Sequence, residues 1–175
     1  VRTSRQMRRL ADTLIAPMRV PVPADPEVLF EALVASVAAW RGREIVVRRE
    51  TFPPHTASGL WLEAESYDII VVDRRAAVWH QIVILTHEVW HMNRRRAEAA
   101  ARTRSRGASP RPVAARTDFS LAEEREADRF GMLMGRRLRA WLEASEETVH
   151  AAGDEDAQGL AERIGAALNY RGPRG

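Results

Sequence analysis

The chain has 175 residues, enough for one domain with its own core plus short extensions, and 45% apolar with 29% charged residues is a globular balance rather than that of a chain disordered throughout. It contains no cysteine, which excludes disulfides, thiolate metal ligands and a cysteine nucleophile, so any bound metal must be held by His, Asp or Glu. All 27 basic residues are arginine, which accounts for a sequence pI of about 10.4 at a net charge of only +3, and that charge alone does not mark a nucleic-acid binder.

Residues 2–16 read as a helix, with Met7, Leu10, Leu14 and Ile15 near one face, and Pro17, Pro21 and Pro23 stop it. Asp25-Pro26 is a start signal, an N-cap followed by proline at the first helical position, for a second helix reaching Trp40 and ended by Gly42. Three β-like runs follow, Glu44–Thr51, Leu60–Glu63 and Tyr67–Asp73, separated by turn-forming stretches that include Pro53-Pro54. Their short connections predict a small antiparallel sheet of about three strands. Its longest apolar runs, such as Ile69–Val72, are too short to cross a bilayer. The N-terminus, Val1–Arg5, lacks the apolar stretch of a secretory signal, so the expected location is the cytoplasm, without a membrane partner.

A third helix is predicted over Arg75–Arg96. Beyond it, Asn93–Thr117 carries eight Arg against one Glu, and from Thr103 it has no usable apolar period, which predicts a flexible insert over 103–117. Ser120-Leu121-Ala122-Glu123 is a capping box opening a fourth helix to about Glu143. The expected organisation is an N-terminal helix and Pro-rich linker over 1–24, a main domain over 25–145, and an acidic, weakly helical extension with a disordered tail over 146–175. The fold class is α+β, helices packed on the small sheet.

His87 and His91 are four residues apart, which on a helix stacks two imidazoles on one face about a turn apart, close enough to grip one ion. Glu88 projects beside them, able to reach a water at that ion without being a ligand. This is the His-Glu-x-x-His arrangement of zinc hydrolases. The alternative, merely packed histidines, leaves two imidazoles and a carboxylate on an otherwise apolar stretch, Ile82–Met92, which is costly to bury.

A catalytic zinc needs a third protein ligand and an open fourth position. Glu123, Glu124, Glu126 and Asp128 cluster at the start of the fourth helix, 32 to 37 residues past His91. Glu123 belongs to the capping box. Glu124 and Asp128 share a face, and Glu126 points about 160° from it at roughly 100° per residue. The economical assignment puts Glu124 on the metal, with Asp128 behind it as hydrogen-bond acceptor for the outer nitrogen of His87 or His91. The competing reading of these acids is compensation of the helix dipole. Zinc is the expected ion, and a His₂Glu set also accepts Mn2+ or Fe2+.

His87-Glu88-x-x-His91 followed by Glu124-Arg125-Glu126-Ala127-Asp128-Arg129-Phe130 resembles the ImmA/IrrE family of metallopeptidases, which pairs such a helix with a Glu-x-x-Ala-Asn/Asp-type motif on the next. His80-Gln81 after a strand such as Tyr67–Asp73 is similar as well, and the resemblance spans about residues 25–145, with only the two helices specific. It implies a gluzincin-like endopeptidase with His87, His91 and Glu124 as ligands and Glu88 as catalytic base. Its implied substrate is a protein, typically a helix-turn-helix transcriptional repressor. Trp90 departs from the family, which usually has Gly there, and the Arg-rich insert is longer and more basic than expected.

Tyr67–Asp73, placed at a sheet edge, would hold an extended substrate by main-chain pairing; its alternative is an ordinary buried strand. The oxyanion donor stays open among His55, His80, His150, Tyr67 and Tyr170. Weak nucleic-acid contact through Arg94, Arg95, Arg96, Arg102, Arg104, Arg106, Arg111 and Arg116 stands beside a solvated insert. Trp40, Trp61, Trp79 and Trp141 are expected in or near the core, with Trp90 bordering the cleft. Two other function classes fit the sequence: a non-catalytic metal-binding regulatory partner of toxin–antitoxin type, and a binding module with a vestigial site.

Overall fold

Helix α1 (Arg2–Ile15) buries Met7, Leu10, Ala11 and Leu14, a stripe at three- and four-residue spacing that leaves its arginines outside. Helix α2 (Pro26–Arg41) starts where expected: Oδ1 of Asp25 accepts from the N–H groups of Glu27 and Val28 at 2.8 and 3.4 Å. It stops at Gly42, whose φ of 76° lies in the left-handed region that glycine enters without penalty. The computed structural model describes residues 2–105 and 119–146. The insert beyond Ser105, the 147–175 extension, His150 and Tyr170 lie outside the described residues.

Strands β1 (Glu44–Glu50), β2 (Gly59–Glu63) and β3 (Tyr67–Asp73) form one sheet in the order β1-β3-β2. The expectation of an antiparallel sheet holds only for β2 and β3; β1 runs parallel to β3, with Glu44 beside Tyr67 and Glu50 beside Asp73. The chain does reverse after β1, as the short connection suggested. The segment 51–58 passes the end of β3, two strand spacings or about 10 Å, and β3 then inserts between the other two. Tyr67–Asp73 is therefore the central strand, paired on both sides, and not the edge strand anticipated for substrate pairing. β2 is an edge.

Buried Asp68 ties this sheet to α2. Arg41 Nε donates to Asp68 Oδ2 at 2.7 Å, Arg41 Nη2 to Glu63 Oε1 at 2.9 Å, and Trp61 Nε1 to Asp68 Oδ1 at 3.2 Å. A fully buried carboxylate is tolerable only with such partners.

Helix α3 spans Val78–Ser105, starting later and ending nine residues beyond the predicted Arg96, so Thr103–Ser105 are helical rather than part of a loop. The Arg and Ala residues after Arg96 are good helix formers, and propensity carries the helix where no apolar stripe exists. Arg96 Nη1 donates to the Trp40 carbonyl at 3.0 Å and its guanidinium lies over the Trp40 ring. Helix α4 (Leu121–Glu146) opens with the predicted capping box: Ser120 N–H donates to Glu123 Oε2 at 2.8 Å, and Glu123 N–H to Ser120 Oγ at 3.3 Å.

The core runs through all four helices and the sheet, with Leu14, Leu29, Leu33, Ile70, Leu85, Trp90, Phe130 and Leu138 wholly buried. Trp61 lies in it, and Trp40, Trp79 and Trp141 pack against it as expected. Arg137 of α4 pairs with Asp12 of α1. Among the described residues no helix is long and apolar enough to cross a membrane. The architecture is α+β, a helical layer on a small mixed sheet.

Candidate metal centre

Two glycines bring α3 and α4 together. A β-carbon added at Gly131 would lie 2.9 Å from the Val83 carbonyl oxygen, and one at Gly135 would lie 3.1 Å from Cγ2 of Val83 and 3.3 Å from the Trp79 ring. The helices run antiparallel: Val83 faces Gly131 and Gly135, His87 faces Asp128, and Arg94 faces Glu126. One turn above the closest approach, α3 presents His87 and His91 to Glu124.

His87 Nε2 and His91 Nε2 are 3.1 Å apart. Glu124 straddles them, Oε2 at 3.2 Å from His87 Nε2 and Oε1 at 3.4 Å from His91 Nε2. One donor atom from each of the three residues lies within 4.8 Å of the others. Tetrahedral zinc with bonds of about 2.0–2.1 Å places its ligand atoms roughly 3.3 Å from one another. The nitrogen and oxygen separations match that spacing, so the three residues fit a small divalent ion.

His87 Nδ1 lies 3.0 Å from Asp128 Oδ1. Asp128 thus stands behind a candidate ligand, on the side of the ring away from Glu124. A carboxylate there favours the proton on Nδ1 and leaves Nε2 facing His91 and Glu124. His91, 1% exposed, is more deeply set than the half-buried carboxylates of Glu124 and Asp128, so the centre is open on the α4 side.

Electrostatics follow from this crowding. Burial opposes charge on His87, but hydrogen bonds to Asp128 and Glu124 outweigh it and raise its pKa to about 10. The same imidazoles, hydrogen-bonded to Glu124, lower its carboxyl to about 2. In the metal-free protein a proton on His87 does the work of a cation. Glu88 is 7% exposed, and burial raises its carboxyl above the ordinary value against the pull of His87 and His91.

Glu88 sits beneath the first residue of β2. A β-carbon at Gly59 would collide with Cγ2 of Ile84 and lie 2.9 Å from Glu88 Oε1, so only glycine fits there. Nothing in the sequence pattern singled out Gly59; a glycine opening a strand signals close approach only once the strand's neighbour is known. The Asp73 N–H donates to the Ser58 carbonyl, and the Ala64 N–H to the Tyr67 carbonyl. By antiparallel alternation Gly59 and Trp61, both buried, then turn their own N–H and C=O groups away from β3, to the edge of β2 that no strand among the described residues pairs with.

Glu126, on another face of α4 than Glu124 and Asp128, also meets α3: its Oε2 accepts from Trp90 Nε1 at 3.4 Å and lies 3.7 Å from Arg94 Nε. One expectation is corrected. Trp90 is wholly buried against Phe130, ring centroids 5.2 Å apart, and does not border the cleft. Among the proposed oxyanion donors, His80 lies two turns before His87 near Asp73, His55 sits in the 51–58 turn with φ 62°, and Tyr67 begins β3 at the far end of the sheet from Gly59. None belongs to the three-residue cluster.

The arrangement is consistent with a zincin-like site: two histidines one turn apart, a buried carboxylate between them in sequence, and a third candidate donor from the next helix. Comparison with known families, curated proteins and solved structures finds no match to this chain.

Proposed function

We propose that this protein is a zinc-dependent endopeptidase, similar to the ImmA/IrrE metallopeptidases, that cuts a protein substrate. The observation that carries the reading is the convergence of His87, His91 and Glu124 on one ion-sized space, with Glu88 buried at its side. His87, His91 and Glu124 would hold the ion, and Mn2+ or Fe2+ would suit the same donors. Once bound, zinc supplies Lewis acidity, polarising a carbonyl and making water a stronger acid.

The chain's own groups do the rest. Asp128 keeps the Nδ1 proton of His87, leaving Nε2 free as a donor. Glu88, as carboxylate, accepts the proton of the attacking water on a carboxylate oxygen and delivers it to the departing amide nitrogen. Burial favours this exchange, because it raises the proton affinity of Glu88 toward the working pH.

A helix-turn-helix repressor is the proposed substrate, on the strength of the resemblance of the two motif helices, and the cytoplasm the proposed location. The test is incubation of zinc-loaded protein with the helix-turn-helix regulator encoded nearest to it, beside Glu88→Gln. Cleavage by the wild type, lost in Glu88→Gln with zinc retained, is expected. Equal cleavage by both removes Glu88 from the chemistry; an intact regulator held in a stable complex favours the regulatory-partner reading.

A further inference from the structure

The two imidazoles of the centre are held in different ways. His87 has a carboxylate on Nδ1, whereas Nδ1 of His91 is buried and has no hydrogen-bond partner among the described residues. The His91 ring instead lies face to face with Phe119, centroids 3.7 Å apart and planes 17° from parallel. His87 meets it edge-on from another side, centroids 4.9 Å apart.

We propose that Phe119 is the positioning residue for His91, serving that ligand as Asp128 serves His87. The torsion that turns an imidazole about its Cβ–Cγ bond is broad and intrinsically weakly restrained. A hydrogen bond on the outer nitrogen normally restrains it in a metal site. Where that bond is missing, a flat ring against one face does the same task sterically, because turning His91 out of plane drives its edge into Phe119. This keeps Nε2 aimed at His87 Nε2 and Glu124 Oε1, 3.1 and 3.4 Å away.

The placement of Phe119 follows from the capping box. Ser120 is the N-cap of α4, so Phe119 is the residue before it, which in many helices packs on the fourth helical position as a hydrophobic staple. Here the fourth position is Glu124, a candidate ligand, and Phe119 lies on His91 instead. Hydrogen bonds between Ser120 and Glu123 anchor the chain there, so one helix start delivers both Glu124 and Phe119 to the same imidazole.

This inference rests on the metal centre and not on peptide hydrolysis. It is tested by zinc affinity, measured by competition with a chromophoric chelator, and by the visible spectrum of the Co2+-loaded protein. The variants are Phe119→Leu, Phe119→Tyr and Phe119→Ala. Phe119→Leu, which keeps apolar bulk but not the flat ring, should weaken zinc roughly 10–100-fold, the range for loss of an orienting partner, with an altered Co2+ spectrum. Phe119→Tyr should restore both, and the Leu and Tyr pair decides the matter even where Ala fails to fold. Leu matching the wild type in affinity and spectrum, or Tyr as weak as Leu, overturns the proposal. Zinc bound tightly by a wild type that cleaves nothing would remove the peptidase reading and leave this one standing; a wild type that binds no zinc overturns both.

Discussion

Asp128 and Glu124 grip opposite nitrogens of one imidazole: Oδ1 of Asp128 is 3.0 Å from His87 Nδ1, and Oε2 of Glu124 is 3.2 Å from His87 Nε2. Only Nε2 faces the other donors, so Asp128 acts through His87. Asp128→Ala is expected to weaken zinc by about 10–100-fold without changing the ligand set. Chelator competition reads the affinity, and an unchanged value would show that the contact does not orient the ring.

Zinc uptake should expel a proton. The His87 pKa of about 10 makes it imidazolium at pH 7, and Nε2 must lose that proton to bind an ion. Calorimetry in buffers of different ionisation enthalpy should give release of about one proton per zinc. Zero release would mean His87 is already neutral in the metal-free protein.

The same shifts fix how metal-free stability follows pH. The folded pKa of His87 is raised from 6.5 to about 10, so its stabilisation is complete below pH 6.5 and disappears as pH rises through about 10. The folded pKa of Glu124 is lowered from 4.5 to about 2, so its stabilisation is present above pH 4.5 and disappears as pH falls through about 2. Thermal midpoints of metal-free wild type minus His87→Ala should therefore be greatest between pH 4.5 and 6.5. A difference that grows toward pH 10 would reverse the sign.

Gly131 and Gly135 separate packing from chemistry. Gly131→Ala puts a β-carbon 2.9 Å from a backbone oxygen that cannot swing away, whereas Gly135→Ala meets side chains at 3.1 and 3.3 Å. Overpacking of this kind costs about 1–3 kcal/mol, and Gly131→Ala should also lose zinc affinity because α4 carries Glu124 and Asp128 away from α3. Gly135→Ala should be the milder in both. Equal zinc binding in all three proteins would show that the helix approach does not set the centre.

Gly59→Ala should leave zinc bound and depress turnover at least tenfold, since the new carbon at 2.9 Å from Oε1 must push Glu88 aside. Unaltered turnover would show that the carboxylate has room to spare.

What the sequence disclosed and what it withheld follow one physical rule. His87, Glu88 and His91 share one helix, where spacing alone sets geometry, and Ser120 and Glu123 announced a helix start by local chemistry; Glu124 and Asp128 could be sorted from Glu126 by angle. Features that depend on a second element were hidden. The parallel pairing of β1 with β3, the contact of Glu126 with Trp90, the burial of Trp90 and the roof that Gly59 forms over Glu88 all arise where two distant stretches meet. The helix expected to end near Arg96 runs on to Ser105, carried by the helix propensity of its Arg and Ala residues.

Zinc K-edge absorption of the loaded protein tests the centre most directly. The expected result is one zinc per chain in a four-coordinate nitrogen and oxygen shell, with outer-shell scattering from two imidazoles that falls to one in His91→Ala. A spectrum identical in wild type, His91→Ala and Glu124→Ala, or no stoichiometric zinc at all, would contradict it.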